Sequence, residues 1–145
     1  QLVDFAWLAT APGKEQLPDL ASALNSDNPA MRFWALRGYT LLKEMAGQNI
    51  AGLRAATQDP VPAVRIAAAE ALLAGSGPGT GIQTLRKEFQ PPYDKSPGCQ
   101  IQMLNLAQRV GFQNEIPLPW LQHVANDERS TKYVRAFANG ILRNK

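Results

Sequence analysis

Cysteine and histidine are almost missing from this chain, with one of each among 145 residues. The lone Cys99 excludes an internal disulfide, and together with the lone His123 it falls short of a tetrahedral zinc set. Charge of one sign is scarce too. Fifteen basic and twelve acidic residues leave a formal net charge of +3, and the basic ones are scattered, without the run or stripe of Lys and Arg that marks a nucleic-acid surface. No apolar run approaches the roughly 20 residues of a membrane span, and the first residues lack a basic start followed by a hydrophobic stretch. Neither nucleic acid nor a membrane is an expected partner. No alternating apolar–polar stretch marks a strand.

What is present is a repeat. Asp27-Asn28-Pro29-Ala30-Met31-Arg32 aligns with Asp59-Pro60-Val61-Pro62-Ala63-Val64-Arg65 after a one-residue slip, with Asp, Pro, an apolar residue and Arg in the same order. Weaker copies run from Cys99-Gln100-Ile101 to Gly111 and from Asn126-Asp127 through Arg135 to Leu142, which places the anchors at Arg32, Arg65, Gln100 and Arg135. Their separations are 33, 35 and 35 residues. A period in this range, with helical patterns on both sides of a turn, signals stacked helix pairs that cannot bury their apolar faces singly.

Helical spacing of apolar residues supplies the elements. A leading helix carries Phe5 and Leu8 and stops at Pro12-Gly13. The first pair uses Leu17 to Leu24 and then Met31 to Met45, capped by Asn28, opened by Pro29 and closed by Gly47. The second pair uses Ile50 to Thr57 and Val64 to Leu73, with Ala67, Ala68, Ala69 and Ala71 thinning the helix for close neighbours. Gly75 to Gly81 reads as a linker, since a phosphate loop would need a Gly-Lys-Ser/Thr ending and a preceding strand. The third pair runs from Ile82 to Phe89 and from Ile101 to Gly111, across the proline-rich connection of residues 90–98. The fourth runs from Ile116 to Val124 and from Tyr133 to Leu142. The expected fold is all-α: an α-solenoid of about four antiparallel pairs preceded by one N-terminal helix, forming a single domain over 1–145. The chain starts at Gln1 without Met and reads as a fragment of a longer protein or a processed chain.

Catalytic groups occur once, whereas scaffold groups recur with the scaffold. Asp27, Arg32, Asp59, Arg65, Asp127 and Arg135 are therefore expected to be structural, each Asp accepting hydrogen bonds at the start of a helix and each Arg reaching across a turn to its own or the neighbouring repeat. His123 reads as a surface residue near a helix terminus and Cys99 as a small buried hydrophobe. Trp7, Trp34 and Trp120 fall on helical stripes and are expected to pack between helices. The single-copy loop Tyr93-Asp94-Lys95 and the end-helix residues Phe5, Trp7 and Leu8 are the candidate contacts for a partner. No catalytic, cofactor-binding or metal-binding residue is assigned.

Two resemblances follow from these residues. Asp27 to Arg32 and Asp59 to Arg65, each flanked by amphipathic helices, resemble HEAT repeats over Leu17 to Leu142. More narrowly, the segments Asn28 to Ala35, Val64 to Leu72 and Gln102 to Asn105 are similar to the HEAT-like region at the C-terminus of bacterial secreted sulfatases. That resemblance implies a sulfuric ester hydrolase domain ahead of Gln1, carrying a Cys-x-Pro-Ser-Arg or Ser-x-Pro-Ser-Arg formylglycine motif and a calcium site. Cys99 is followed by Gln100-Ile101-Gln102, so no catalytic residue carries over. It further implies that this chain is a non-catalytic accessory domain without a cofactor, packed in cis on the parent's catalytic domain, in the periplasm or outside the cell. A free-standing scaffold holding a protein or peptide in its concave groove is one alternative. A DNA-binding or base-excising HEAT-like enzyme is another, disfavoured because Arg37, Glu70, Asn105 and Asn139, read as equivalent positions on the repeats, make no basic face.

Overall fold

The computed structural model describes residues 2–75 and 77–144, the side chains of residues 44–46 excepted. Nine α-helices are found among the described residues, and no strand: α1 (Leu2–Thr10), α2 (Leu17–Ala23), α3 (Pro29–Leu42), α4 (Ile50–Ala56), α5 (Pro62–Ala74), α6 (Pro78–Glu88), α7 (Pro97–Arg109), α8 (Leu118–Asn126) and α9 (Lys132–Arg143). The all-helical expectation holds. Four of these helices open on proline, whose missing N–H would have had no partner in a first turn. Side-chain caps finish the job: Asn28 Oδ1 accepts from the Ala30 amide at 2.9 Å, Ser96 Oγ from Cys99 at 3.3 Å and Thr131 Oγ1 from Val134 at 3.3 Å.

Two boundaries differ from the sequence reading. Helix α3 ends at Leu42, because Lys43 turns to φ 49° and a 3₁₀ stretch follows over Lys43–Asn49. Gly47 therefore lies beyond the helix it was expected to close, and the side chain of Met45 lies outside the described ones. The expected linker of residues 75–81 is also half helix, since α6 starts at Pro78 and takes in Gly79 and Gly81. Ser76 lies outside the described residues.

The chain divides into two compact units, one reaching to Thr84 and the other starting at Leu85. In the first, α3 packs on α1, α2 and α5, and α5 on α4. Its core joins Leu20, Leu36, Tyr39, Leu53 and Leu72 to Ala67, Ala68 and Ala71, all essentially inaccessible to solvent. The alanines let the α3 and α5 backbones approach closely. In the second unit α9 packs on α8 and α7. Its centre is aromatic: Phe89 stands edge-on to Trp120 with ring centroids 4.7 Å apart and lies parallel to Phe112 at 6.0 Å.

One glycine is fixed by space. A Cβ at Gly81 would lie 2.8 Å from the Ala69 carbonyl oxygen and 2.7 Å from Leu73 Cγ, where α6 passes the end of α5. At Gly79, in the same helix, it would meet nothing within 4 Å. Gly81→Ala should lower stability by about 1–3 kcal/mol through overpacking, whereas Gly79→Ala should raise it by up to about 1 kcal/mol through helix propensity. Urea denaturation of the two variants checks the opposite signs.

Candidate functional site

The recurring polar residues meet at the turns between helices. From α3, Arg32 Nη1 donates to the carbonyl oxygens of Ser26 at 2.7 Å and Asp27 at 3.1 Å, closing the turn that precedes its own helix. The other edge of the same guanidinium goes forward, with Nε on Asp59 Oδ2 at 2.7 Å and Nη2 on Oδ1 at 3.1 Å. This is a two-pronged ion pair with little solvent access, the side chains of Arg32 and Asp59 being 15% and 7% exposed. Asp59 also accepts from the Val61 amide at the head of α5, while its carbonyl takes Arg65 Nη1 at 2.8 Å. Asp59 is thus the node of the first unit.

The sequence reading had each Arg reach across a turn to its own or the neighbouring repeat, and the structure gives the two directions different acceptors. Own-turn contacts go to main-chain carbonyls: Arg65 to Asp59 and Pro60, and Arg135 to Ser130 at 2.8 Å with Asp127 and Glu128 farther off. The carboxylate contact goes to the next turn. Asp27 contributes its carbonyl to Arg32, and the capping task at that turn falls to Asn28.

In the second unit Gln100 occupies the anchor position. Its Nε2 donates to the Lys95 carbonyl at 3.3 Å and to Asp127 Oδ2 at 3.2 Å. The sequence distance of 27 residues is the same as between Arg32 and Asp59. The amide performs both tasks of the missing arginine, and its Oε1 accepts from Ser130 Oγ. The positive charge is restored two residues past the carboxylate, where Arg129 holds Asp127 through Nε and Nη2, each at 2.9 Å. Hydrogen bonds from Arg129 pull the Asp127 carboxyl far below the usual carboxylate range; burial opposes them, and the Arg129 amide and Gln100 reinforce them. Burial pushes Asp59 upward, and the Arg32 and Val61 hydrogen bonds outweigh it, so this carboxyl is held low as well.

Beside this cluster, His123 Nε2 is buried without a hydrogen bond and stands 3.9 Å from Asp127 Oδ2. Its ring lies 5.5 Å from that of Tyr93. His123 sits in the last turn of α8, as expected, with its side chain partly exposed and only Nε2 buried. Within the candidate loop, Lys95 pairs with Glu88 at 3.6 Å and its side chain is 9% exposed. That removes Lys95 from the candidate contacts and leaves the exposed Asp94 and half-buried Tyr93. Trp7 departs from its expected packing between helices and is 74% exposed, while Phe5 and Leu8 on the same helix pack half-buried on the core. Cys99 is buried at the head of α7. No cluster of three or more His, Cys, Asp or Glu with metal-holding geometry is found among the described residues.

The chain is 28% identical over 131 residues to an uncharacterized phycocyanin operon protein Z of the cyanobacterium Pseudanabaena tenuis. The match covers 86% of the chain and 62% of the relative, so the chain spans about three-fifths of the relative's length. No protein-family model and no solved structure matches it. These findings overturn the sulfatase resemblance, the HEAT-family assignment and the accessory-domain function drawn from them. The periplasmic or secreted location falls with them. The three segments that carried the resemblance are turn and helix-packing segments, and their pattern follows from that geometry whatever the parent protein.

Two measurements probe the turn clusters. Arg32→Ala leaves the Asp59 carboxylate enclosed without its partner and should cost about 3 kcal/mol in urea denaturation; a loss under about 1 kcal/mol would show the pair to be solvent-screened. Asp59 and Asp127 bind fewer protons folded than unfolded, so their contribution is complete above the ordinary carboxylate pKa and fades as pH falls through the depressed native values. The urea midpoint should drop between about pH 5 and about pH 2, and Asp127→Asn should flatten that drop. Parallel profiles for the variant and the unaltered chain would disprove the assignment of Asp127.

Proposed function

We propose that this chain serves phycocyanin in a phycobilisome-related, non-catalytic role, acting in the cytoplasm by protein–protein contact. The observation that carries this reading is the likeness to the phycocyanin operon protein over 86% of the chain. The disposition of polar groups supports it. The contacts from Arg32 to Asp59 and from Gln100 to Asp127 join one turn to the next, which is a scaffold's use of such groups. We further propose that the helix pairs continue as an α-solenoid. Support comes from the adjoining second helices, α3 with α5 and α7 with α9, and from the turn-to-turn contact repeated at 27 residues. The exposed Trp7 on α1 is an aromatic anchor of the kind that dominates protein interfaces.

Size-exclusion chromatography and calorimetry with purified phycocyanin subunits, separately and as the assembled pair, test the reading. A complex with a dissociation constant of about 10 μM or tighter is expected, corresponding to about 7 kcal/mol. Separate elution at tens of micromolar, with no heat of binding, would exclude direct service to phycocyanin.

A further inference from the structure

Gly140 has no use within the fold of its own unit. It lies in the interior of α9, where glycine is about 1 kcal/mol less favourable than alanine. Its φ is not in the left-handed region, unlike that of Gly111, and a Cβ added to it would meet nothing within 4 Å. Neither backbone conformation nor packing therefore demands a glycine. Counting five residues on from each anchor gives Arg37, Glu70, Asn105 and Gly140, which moves the fourth equivalent from Asn139 to its neighbour. In the first unit this position is filled: Arg37 Nη1 pairs with Glu70 Oε2 at 2.5 Å. In the last copy the side chain is gone, and a cleft lies there.

The cleft runs beside α9, past the end of α7 and the turn at residues 113–114. Phe137, Ile141 and Gly140 contribute its apolar and bare-backbone part, and carboxamides, Gln108, Gln113 and Asn144 among them, contribute the polar part. No Asp, Glu, Lys or Arg is among the described lining residues. Two of the amides are held in place by the main chain: Gln113 Nε2 donates to the Gln108 carbonyl at 3.3 Å, and Asn144 Nδ2 to the Gly140 carbonyl at 3.1 Å. Each of these amides has one N–H engaged and keeps its oxygen and a second N–H for a ligand, the set that the N–H and carbonyl of a main-chain amide complement. A carboxylate-bearing ligand would need a cation that the lining does not supply. A neutral donor-bearing chain meets what is offered.

We propose that the cleft beside Gly140 receives an extended, uncharged main-chain segment of the partner protein. Its N–H groups donate to Gln113 Oε1 and Asn144 Oδ1, its backbone passes close over Gly140, and a small apolar side chain packs on Phe137 and Ile141. The proposal rests on the reading that phycocyanin is that partner, and the test separates the two. Calorimetry with phycocyanin compares the unaltered chain, Gly140→Leu, and Gly79→Leu as a control at another open helical glycine outside the cleft. Gly140→Leu should weaken binding by about tenfold or more while keeping the helical circular dichroism and melting temperature, and Gly79→Leu should bind like the unaltered chain. Equal affinity for all three overturns the cleft and leaves the phycocyanin reading standing. A second arm needs neither phycocyanin nor a variant: amide NMR shifts of the unaltered chain with the doubly capped peptide Gly-Val-Ala-Val-Gly, and with Gly-Asp-Ala-Glu-Gly. Shifts at Gly140 and the Gln113 side-chain amide with the neutral peptide alone are expected. If the unaltered chain fails to bind phycocyanin, that reading falls and this arm decides the cleft, as it does if Gly140→Leu unfolds; absence of shifts at Gly140 overturns it.

Discussion

A donor side chain that serves two turns at once is the constraint on which the rest of this structure depends. Arg32 holds the carbonyls of its own turn and the carboxylate of the next, and Gln100 does the same with an amide. The carbonyls need such a donor because a turn enclosed between helices has few other partners for them. The carboxylate needs it because Asp59 and Asp127 are both nearly covered, and a covered anion without hydrogen bonds is among the costliest groups a fold can contain. One side chain answers both needs, so the spacing between successive turns cannot drift. The helices between them only have to be long enough to span that spacing.

Much of this was legible from periodicity and punctuation. Apolar stripes placed the helices, Asn28 and Pro29 marked the start of α3, and the recurring Asp and Arg marked turns between helices. The partner of Arg32 was less so, because closeness in sequence favours Asp27 while the folded turn brings Asp59 nearer. Gln100 looked like a gap in the pattern. Its tasks are those of a hydrogen-bond donor, which an amide can fulfil, and the charge it lacks reappears at Arg129, outside the repeat register. Trp7 shows a different limit. A stripe says which side of a helix is apolar, but only the presence of a neighbour decides whether that side is covered. Gly140 was hidden for a related reason, since a missing side chain leaves no pattern.

The sulfatase resemblance failed on physical grounds as well as by comparison. Two of the segments that carried it hold turn-building residues: Asn28 caps and Pro29 opens α3, and Arg32 and Arg65 gather the carbonyls of their turns. Any chain that stacks helix pairs through short turns meets those demands, and the same few residue types satisfy them. Such segments report how a turn is built and carry little about what the protein works with. The phycocyanin operon relative matches over most of the chain, including helices with no turn function, which is why it outweighs three short segments.

The relocation of one positive charge from the anchor position to Arg129 makes the ion pair of one carboxylate local and leaves that of the other long-range. The two-pronged partner of Asp59 lies 27 residues earlier, so that contact needs a long loop to close, and the nearer Arg65 adds only a weaker attraction. Asp127 closes on Arg129 across two residues, before any other helix arrives. The turn between α8 and α9 therefore holds an ion pair within itself and meets α7 through Gln100, whereas the turn before α5 takes its two-pronged partner from α3. By this route the second unit gains a seed of low contact order, and the first keeps its stability tied to the arrival of a distant part of the chain.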